Sequence, residues 1–189
     1  MIIGITGGTG CGKTTLLDVI REAGGLVLDC DAIYHELLKT DKDLLAAIEA
    51  RFPGTVENGQ LQRKKLGAIV FNDKAALEDL SHITGGAIGR ELNRQLSTNP
   101  ALAAIDAIRL FEGGLNKRCD LTVAVTAPEE VRVQRLMARD NITEEYARNR
   151  IAAQRFQSHL VGKDDSAQLF SLQAAVFHRA GETGFNGIQ

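Results

Sequence analysis

Four short apolar runs punctuate the chain, each closed by polar or small residues. Ile2-Ile3-Gly4-Ile5 is the first, and Leu26-Val27-Leu28, ending in Asp29-Cys30-Asp31, is the second. Leu102-Ala103-Ala104-Ile105 runs into Asp106-Ala107, and Leu121-Thr122-Val123-Ala124-Val125 runs into Thr126-Ala127-Pro128. Runs this short and this continuous predict strands buried on both faces, because a half-exposed strand would alternate. Helical patterns such as Leu16-Leu17-Asp18-Val19-Ile20 separate them. The prediction is an α/β fold of three layers, helices on both sides of a parallel sheet, with ligands at the carboxyl ends of the strands.

The stretch between the second and third runs is too long for a simple crossover. Residues 32–98 carry helical spacing instead: Leu44, Leu45, Ile48 and Phe52, then Leu77, Leu80 and Ile83, then Ile88, Leu92 and Leu96. Pro53-Gly54 and Asn58-Gly59 mark turns between these patterns. This predicts an inserted helical subdomain, a natural seat for a second substrate, although a purely structural cap has the same pattern. The predicted division places the core in 1–31, 99–127 and 155–189, the insert in 32–98 and a further helical segment in 128–154. No fifth strand is assigned within 156–189, and residues 181–187 read as loop.

The turn after the first run carries the chemistry. Residues 7–14 read GGTGCGKT, which fits G-x-x-x-x-G-K-[ST], the phosphate-binding P-loop, between a strand and a helix as that motif requires. A chance match in a chain of ordinary composition has a probability of roughly 1%. Gly7, Gly8, Gly10 and Gly12 let backbone N–H groups turn inward around phosphate oxygens, and the helix start adds its positive end. The predicted nucleotide site therefore comprises Gly8, Thr9, Gly10, Cys11, Gly12, Lys13, Thr14 and Thr15. Lys13 is placed to reach the β- and γ-phosphates of ATP, and the Thr14 hydroxyl to ligate Mg²⁺.

Beside such a loop, other charged residues take on meaning. Residues 128–155 hold Arg132, Arg135, Arg139, Arg148, Arg150 and Arg155, and the spacing of the first three puts them on one helix face. A solvated helix balanced by Glu129, Glu130, Asp140, Glu144 and Glu145 is the plain reading. Phosphoryl transfer needs cations over the transferring group, which favours an arginine-bearing lid. Asp29 and Asp31, two apart at the end of the second run, are expected on one strand face. Asp31 is assigned the acceptor chemistry, orienting an attacking hydroxyl and receiving its proton. Asp29 is left a supporting or helix-capping role.

Composition narrows the setting. Twenty-two Lys and Arg against 24 Asp and Glu leave no global basic field, which argues against a nucleic-acid partner. No apolar run approaches the roughly 20 residues that span a bilayer, and no leader-like segment precedes the first strand. Cys11, Cys30 and Cys119 show no redox or metal spacing, which predicts a reducing, cytoplasmic setting. His35, His82, His159 and His178 are scattered and form no metal pair. A monomer or weak homo-oligomer is expected.

Taken in order, these blocks resemble the dephospho-coenzyme A kinase family, P-loop proteins related to nucleoside monophosphate kinases. The resemblance rests on Ile5-Thr6-Gly7-Gly8, Leu28-Asp29-Cys30-Asp31-Ala32-Ile33, Asn58-Gly59-Gln60-Leu61-Gln62-Arg63 with Leu66, and Val70-Phe71. Leu110-Phe111-Glu112-Gly113-Gly114-Leu115, Gln134-Arg135-Leu136, Arg139-Asp140, Arg150-Ile151 and Gln154 extend it to about residue 155. It implies a P-loop NTPase fold and ATP- and Mg²⁺-dependent phosphorylation of the ribose 3′-hydroxyl of dephospho-coenzyme A. It also implies Asp31 as the catalytic carboxylate, Arg139 as the lid arginine and Arg135 as its support. The chain departs from the family pattern at Gly85-Gly86, where His-Pro is usual, and at Ile108-Arg109, where Pro-Leu is usual. The family's last strand, which abuts the adenine, finds no matching segment in 156–189. The residues alone leave open a different small acceptor, such as a nucleoside monophosphate, or an ATP-binding protein with weak turnover.

Overall fold

The computed structural model describes residues 1–154 and the backbone of residues 167–171. The remainder of the core reading (155–166 and 172–189, with Arg155, His159, His178 and the loop at 181–187) lies outside the described residues. Strand β1 (Ile2–Gly7) leads into helix α1 (Lys13–Glu22), then β2 (Leu26–Asp29) and α2 (Cys30–Thr40). Next come α3 (Lys42–Arg51), a small hairpin of β3 (Val56–Glu57) and β4 (Gln60–Leu61), α4 (Arg63–Val70) and the long α5 (Lys74–Leu96). Strand β5 (Ala103–Asp106), β6 (Leu121–Thr126), α6 (Glu129–Asp140), α7 (Glu144–Ala153) and β7 (Ala167–Ser171) complete the order.

Five parallel strands form the sheet in the order β2-β5-β1-β6-β7. The four apolar runs are its four contiguous strands, as their composition predicts. Successive residues serve opposite faces: Ala104 packs with Ile5, Leu17, Ile20 and Val123 under α1, while Ile105 packs with Leu28, Leu92 and Leu110 under α5. Both faces are therefore covered, which explains why the runs are continuous rather than alternating.

The fifth strand corrects the sequence reading. Strand β7 pairs in parallel with β6, from Thr122 opposite Ala167 to Thr126 opposite Ser171. Its sequence, Ala167 to Ser171, offers only Leu169-Phe170 as adjacent large apolar residues, too short a run to mark a strand.

The helical patterns of residues 32–98 are present, with one difference. The last two belong to a single helix, α5, of 23 residues, about 34 Å long at 1.5 Å per residue. Its first half packs with Phe52, Ile48 and Leu44 in the core of the helical segment, through Ala76, Leu80, Ile83 and Ala87. Its second half lies on the sheet through Ile88, Leu92 and Leu96. Gly85-Gly86, at the changeover, does not break it, because both halves are held by burial rather than by local propensity. Asn58 and Gly59, with φ of 52° and 72°, form the predicted turn, a two-residue reversal between β3 and β4. Helices α6 and α7 share a small core of Val133, Leu136, Ala147 and Ile151. Arg148 clamps them from outside, reaching Glu129 at 3.0 Å, Glu130 at 2.8 Å and Glu144 at 2.8 Å.

The glycine pair gives a stability prediction. Among the described residues, no atom other than the tip of Arg90, at 4.0 Å, lies within reach of a Cβ added at Gly86. Gly86→Ala should therefore stabilise the protein by about 0.5–1 kcal/mol through helix propensity, without overpacking. A raised thermal midpoint by circular dichroism is the expected reading; a lowered one would show that the pair carries a bend the helix needs.

Candidate active site

The loop between β1 and α1 is shaped by glycines in conformations other residues avoid. Gly10 and Gly12 have φ of 76° and 99°, and Gly12 caps α1 with no side chain over the helix end. No side chain competes for the amides at the start of α1, and an anion in the cavity above them satisfies those that Gly12 O does not take.

If the N–H groups of a loop turn inward, its carbonyls turn outward and need donors of their own. They have them. Lys13 Nζ donates to Gly7 O at 2.9 Å, and Cys11 N to Gly8 O at 3.3 Å. Arg132 Nε donates to Thr9 O at 2.9 Å, and Arg135 Nη1 to the carbonyls of Gly10 and Cys11, both at 3.2 Å. Gly12 O accepts from Thr15 N at 3.2 Å. The amide of Thr9 donates to Gln154 Oε1, at the end of α7. Helices α6 and α7 therefore hold the apex of the loop.

The cavity so formed is about 680 Å³ and brings together Gly8 through Thr14 with Arg135, Arg139, Arg150 and Gln154. Of the predicted nucleotide site, Thr15 is not on its wall; it is exposed on the first turn of α1. Cys11 is buried at 3% exposure and packs with Ile5 and Leu17, the role of a small core residue. The predicted arginine face exists, but its members divide the work. Arg132 and Arg135 grip loop carbonyls, while Arg139 is exposed at the cavity and fixed by Asp140 at 2.7 and 2.9 Å. Arg150 also reaches Asp140, at 2.5 Å. Hydrogen bonds from Arg139 and Arg150 hold the Asp140 carboxyl well below the usual carboxylate range.

The acceptor side differs from the sequence reading in its geometry. Strand β2 ends at Asp29, and Asp31 already lies in the first turn of α2, so the two do not share a strand face. The reason is capping. Asp29 Oδ1 accepts from Asp31 N at 2.9 Å and Ala32 N at 3.0 Å, which starts the helix at once. Asp31 is exposed, free of that duty, and lines a second cavity of about 870 Å³ with Tyr34, Ser81, Gly85, Arg109 and Glu112. Ile108 lines both cavities, and its carbonyl is fixed by the buried Thr6 hydroxyl at 3.0 Å.

Sequence reasoning assigns no role to Asp106, and it places Arg132 and Arg150 only among the arginines of the lid segment. Asp106 ends β5 directly beside Asp29, and its Oδ1 is buried without a hydrogen-bond partner among the described residues. Burial pushes its carboxyl up to about 6; Lys13 opposes that rise, and Asp29 and Asp31 add to it. The signal was present in one dimension, an acid at the carboxyl tip of a fully buried strand beside the P-loop strand. Among the described residues no three His, Cys, Asp or Glu form a metal-holding cluster, and no helix is long and apolar enough to cross a membrane.

Comparison with known proteins agrees with this geometry. The family model described as dephospho-CoA kinase matches residues 1–165. A dephospho-CoA kinase of Moorella thermoacetica is 38% identical over 160 residues, 81% of this chain and 76% of that protein. One from Mesorhizobium japonicum is 40% identical over 149 residues, 77% of this chain and 75% of that protein. Among solved structures, a Thermus thermophilus protein superposes with a TM-score of 0.74 at 31% identity, covering 93% of this chain and 90% of that one. The dephospho-CoA kinase of Campylobacter jejuni superposes with a TM-score of 0.59 at 25% identity, covering 92% and 90%. The parallel sheet, the P-loop cavity and these matches together make the chain a member of the dephospho-CoA kinase family.

Proposed function

We propose that this chain transfers the γ-phosphoryl group of ATP to the ribose 3′-hydroxyl of dephospho-coenzyme A, giving coenzyme A and ADP. The observation that carries this reading is the junction of two cavities at Ile108, cations lining one and the Asp31 carboxylate lining the other. Family membership supports the identity of the acceptor.

In this reading the phosphates lie over the loop amides and the first turn of α1. Lys13 leaves Gly7 O to neutralise the β- and γ-oxygens, and Arg139 and Arg150 meet charge on the transferring group from the lid side. Asp31 accepts a hydrogen bond from the acceptor hydroxyl. As that oxygen bonds to the γ-phosphorus, the bond from phosphorus to the β,γ-bridging oxygen breaks and the hydroxyl proton passes to Asp31. Residues 32–98 seat the acceptor, and residues 128–154 serve as the lid.

The donors available suit Mg²⁺, a hard cation that takes oxygen ligands and keeps several waters. The exposed Thr14 hydroxyl and Asp106 Oδ1, which has no hydrogen-bond partner among the described residues, would hold it, directly or through water. Bound there with ATP, it supplies charge neutralisation on the phosphates.

Several measurements test this. The purified chain should release ADP only with ATP, Mg²⁺ and dephospho-coenzyme A, and equal turnover with a nucleoside monophosphate would overturn the acceptor. Asp31→Asn should leave ATP affinity intact while transfer falls by roughly 10² or more. Asp29→Asn, which keeps the capping oxygen, should leave transfer largely intact, and Asp29→Ala should lower stability by about 1 kcal/mol for a lost cap; loss of transfer in Asp29→Asn with transfer intact in Asp31→Asn would exchange their roles. Arg139→Ala should lower kcat at least roughly tenfold with a smaller effect on ATP binding. Equal losses would make it a ground-state binding residue.

Asp106 makes a pH prediction. Its folded carboxyl binds the proton more tightly than the unfolded one, so its charge opposes folding. That penalty is absent below about pH 4, grows as pH rises to about 6, and is complete above it. Asp106→Asn should therefore gain stability over the native chain across that window, by up to about 3 kcal/mol at pH 7 in chelator. Denaturant melts at pH 4 and pH 7 that show no widening gap would contradict it.

A further inference from the structure

Chemical transfer needs Asp31, but it does not explain why an arginine stands in the same cavity. We propose that Arg109 grips the 5′-diphosphate of the acceptor and thereby selects acceptors that carry this charged bridge; the proposal rests on the acceptor assignment made above. Arg109 lies on the turn leaving β5, next to Ile108, the residue common to both cavities. Its side chain is exposed and makes one weak hydrogen bond among the described residues, Nη1 to the Ser81 hydroxyl of α5 at 3.4 Å. No carboxylate lies within ion-pair distance of it among the described residues, although Asp31, Glu78 and Glu112 line the same cavity. Four of its five N–H donors then have no hydrogen-bond partner among the described residues.

The space around it is kept open. Gly85 lies one helical turn beyond Ser81, and no atom stands within 4 Å of where its Cβ would be. The two places where the chain departs from the family pattern, Gly85-Gly86 and Ile108-Arg109, are 22 residues or more apart in sequence yet line one cavity. One departure removes side chains from the wall, and the other adds a cation beside the vacated space.

The acceptor's chemistry supplies what such a cation fits. Dephospho-coenzyme A consists of an uncharged nucleoside, an uncharged thiol-bearing arm and a diphosphate between them, so its negative charge is concentrated at the diphosphate. A guanidinium presents a planar fork that matches two phosphate oxygens, and a leucine at the same place presents nothing to them. The other cation on the wall, Lys74, is 91% exposed and already faces Glu78 at 3.8 Å. Lys13, Arg139 and Arg150 line the other cavity, where the donor's phosphates need them.

The test is steady-state kinetics of the whole chain and of Arg109→Leu and Arg109→Lys, with folding checked by thermal melting. Arg109→Leu should raise KM for dephospho-coenzyme A about 10- to 100-fold, the range for losing a charge-assisted bond, while KM for ATP changes less than about twofold. Its kcat should fall no more than about threefold, and its KM should lose much of the salt dependence seen in the native chain. Arg109→Lys should recover part of the affinity, since it restores charge without the fork. Inhibition by adenosine, competitive with dephospho-coenzyme A and lacking the diphosphate, should be the same in all three. An unchanged KM in Arg109→Leu, or an equal weakening of adenosine, overturns the proposal. If the native chain does not phosphorylate dephospho-coenzyme A at all, the proposed function fails and this inference falls with it.

Discussion

Everything at the nucleotide side depends on one backbone constraint: a loop that gives its amides to phosphate has carbonyls that water or protein must satisfy. Here each carbonyl from Gly7 to Gly12 has a donor, from the loop itself, from Lys13, or from Arg132 and Arg135 of α6. Two helices far along the chain are thus recruited to hold a turn near its start. The bonds from Arg132 and Arg135 span more than 120 residues of sequence, yet they act on three consecutive peptide groups. That is why Arg132 and Arg135, part of a stripe that reads as a solvated face in isolation, are half-buried in the fold.

The acceptor side is organised by a shared helix. Because α5 is cored into the helical segment at one end and onto the sheet at the other, the wall carrying Ser81 and Gly85 is referenced directly to β5 and its Asp106. Distances between the two cavities are then set by packed apolar side chains rather than by a linker. Thr6, buried in β1, adds a hydrogen bond to the turn at Ile108, where the cavities meet.

Most of the sheet is readable in one dimension because burial on both faces demands uninterrupted apolar runs. The P-loop is readable because phosphate binding demands glycine, lysine and a hydroxyl at fixed spacing. What escapes is whatever depends on an element's neighbours. Strand β7 is recognised by its pairing with β6, since its own sequence offers only the apolar pair Leu169-Phe170. Asp31 falls on a helix rather than a strand because Asp29 captures two amides and ends β2 early. The strand-terminal Asp106 acquires meaning from Lys13 and Asp29 beside it, which only the parallel register brings together. The arginines at 132 and 139 look equivalent by spacing, and the loop carbonyls alone distinguish them.

The same arginines also shape how a nucleotide arrives. The chain carries a net charge of −2, yet five cations, Lys13, Arg132, Arg135, Arg139 and Arg150, crowd around the loop and its cavity. Three of them are bonded to neutral backbone carbonyls, which orient their charge without cancelling it. A mildly acidic body with a recessed cationic mouth focuses its field at that mouth, drawing polyphosphates in and holding other anions off the remaining surface. Capture becomes a matter of field strength, quickest at low ionic strength, and it is the carbonyls behind the loop that fix where the field is strongest.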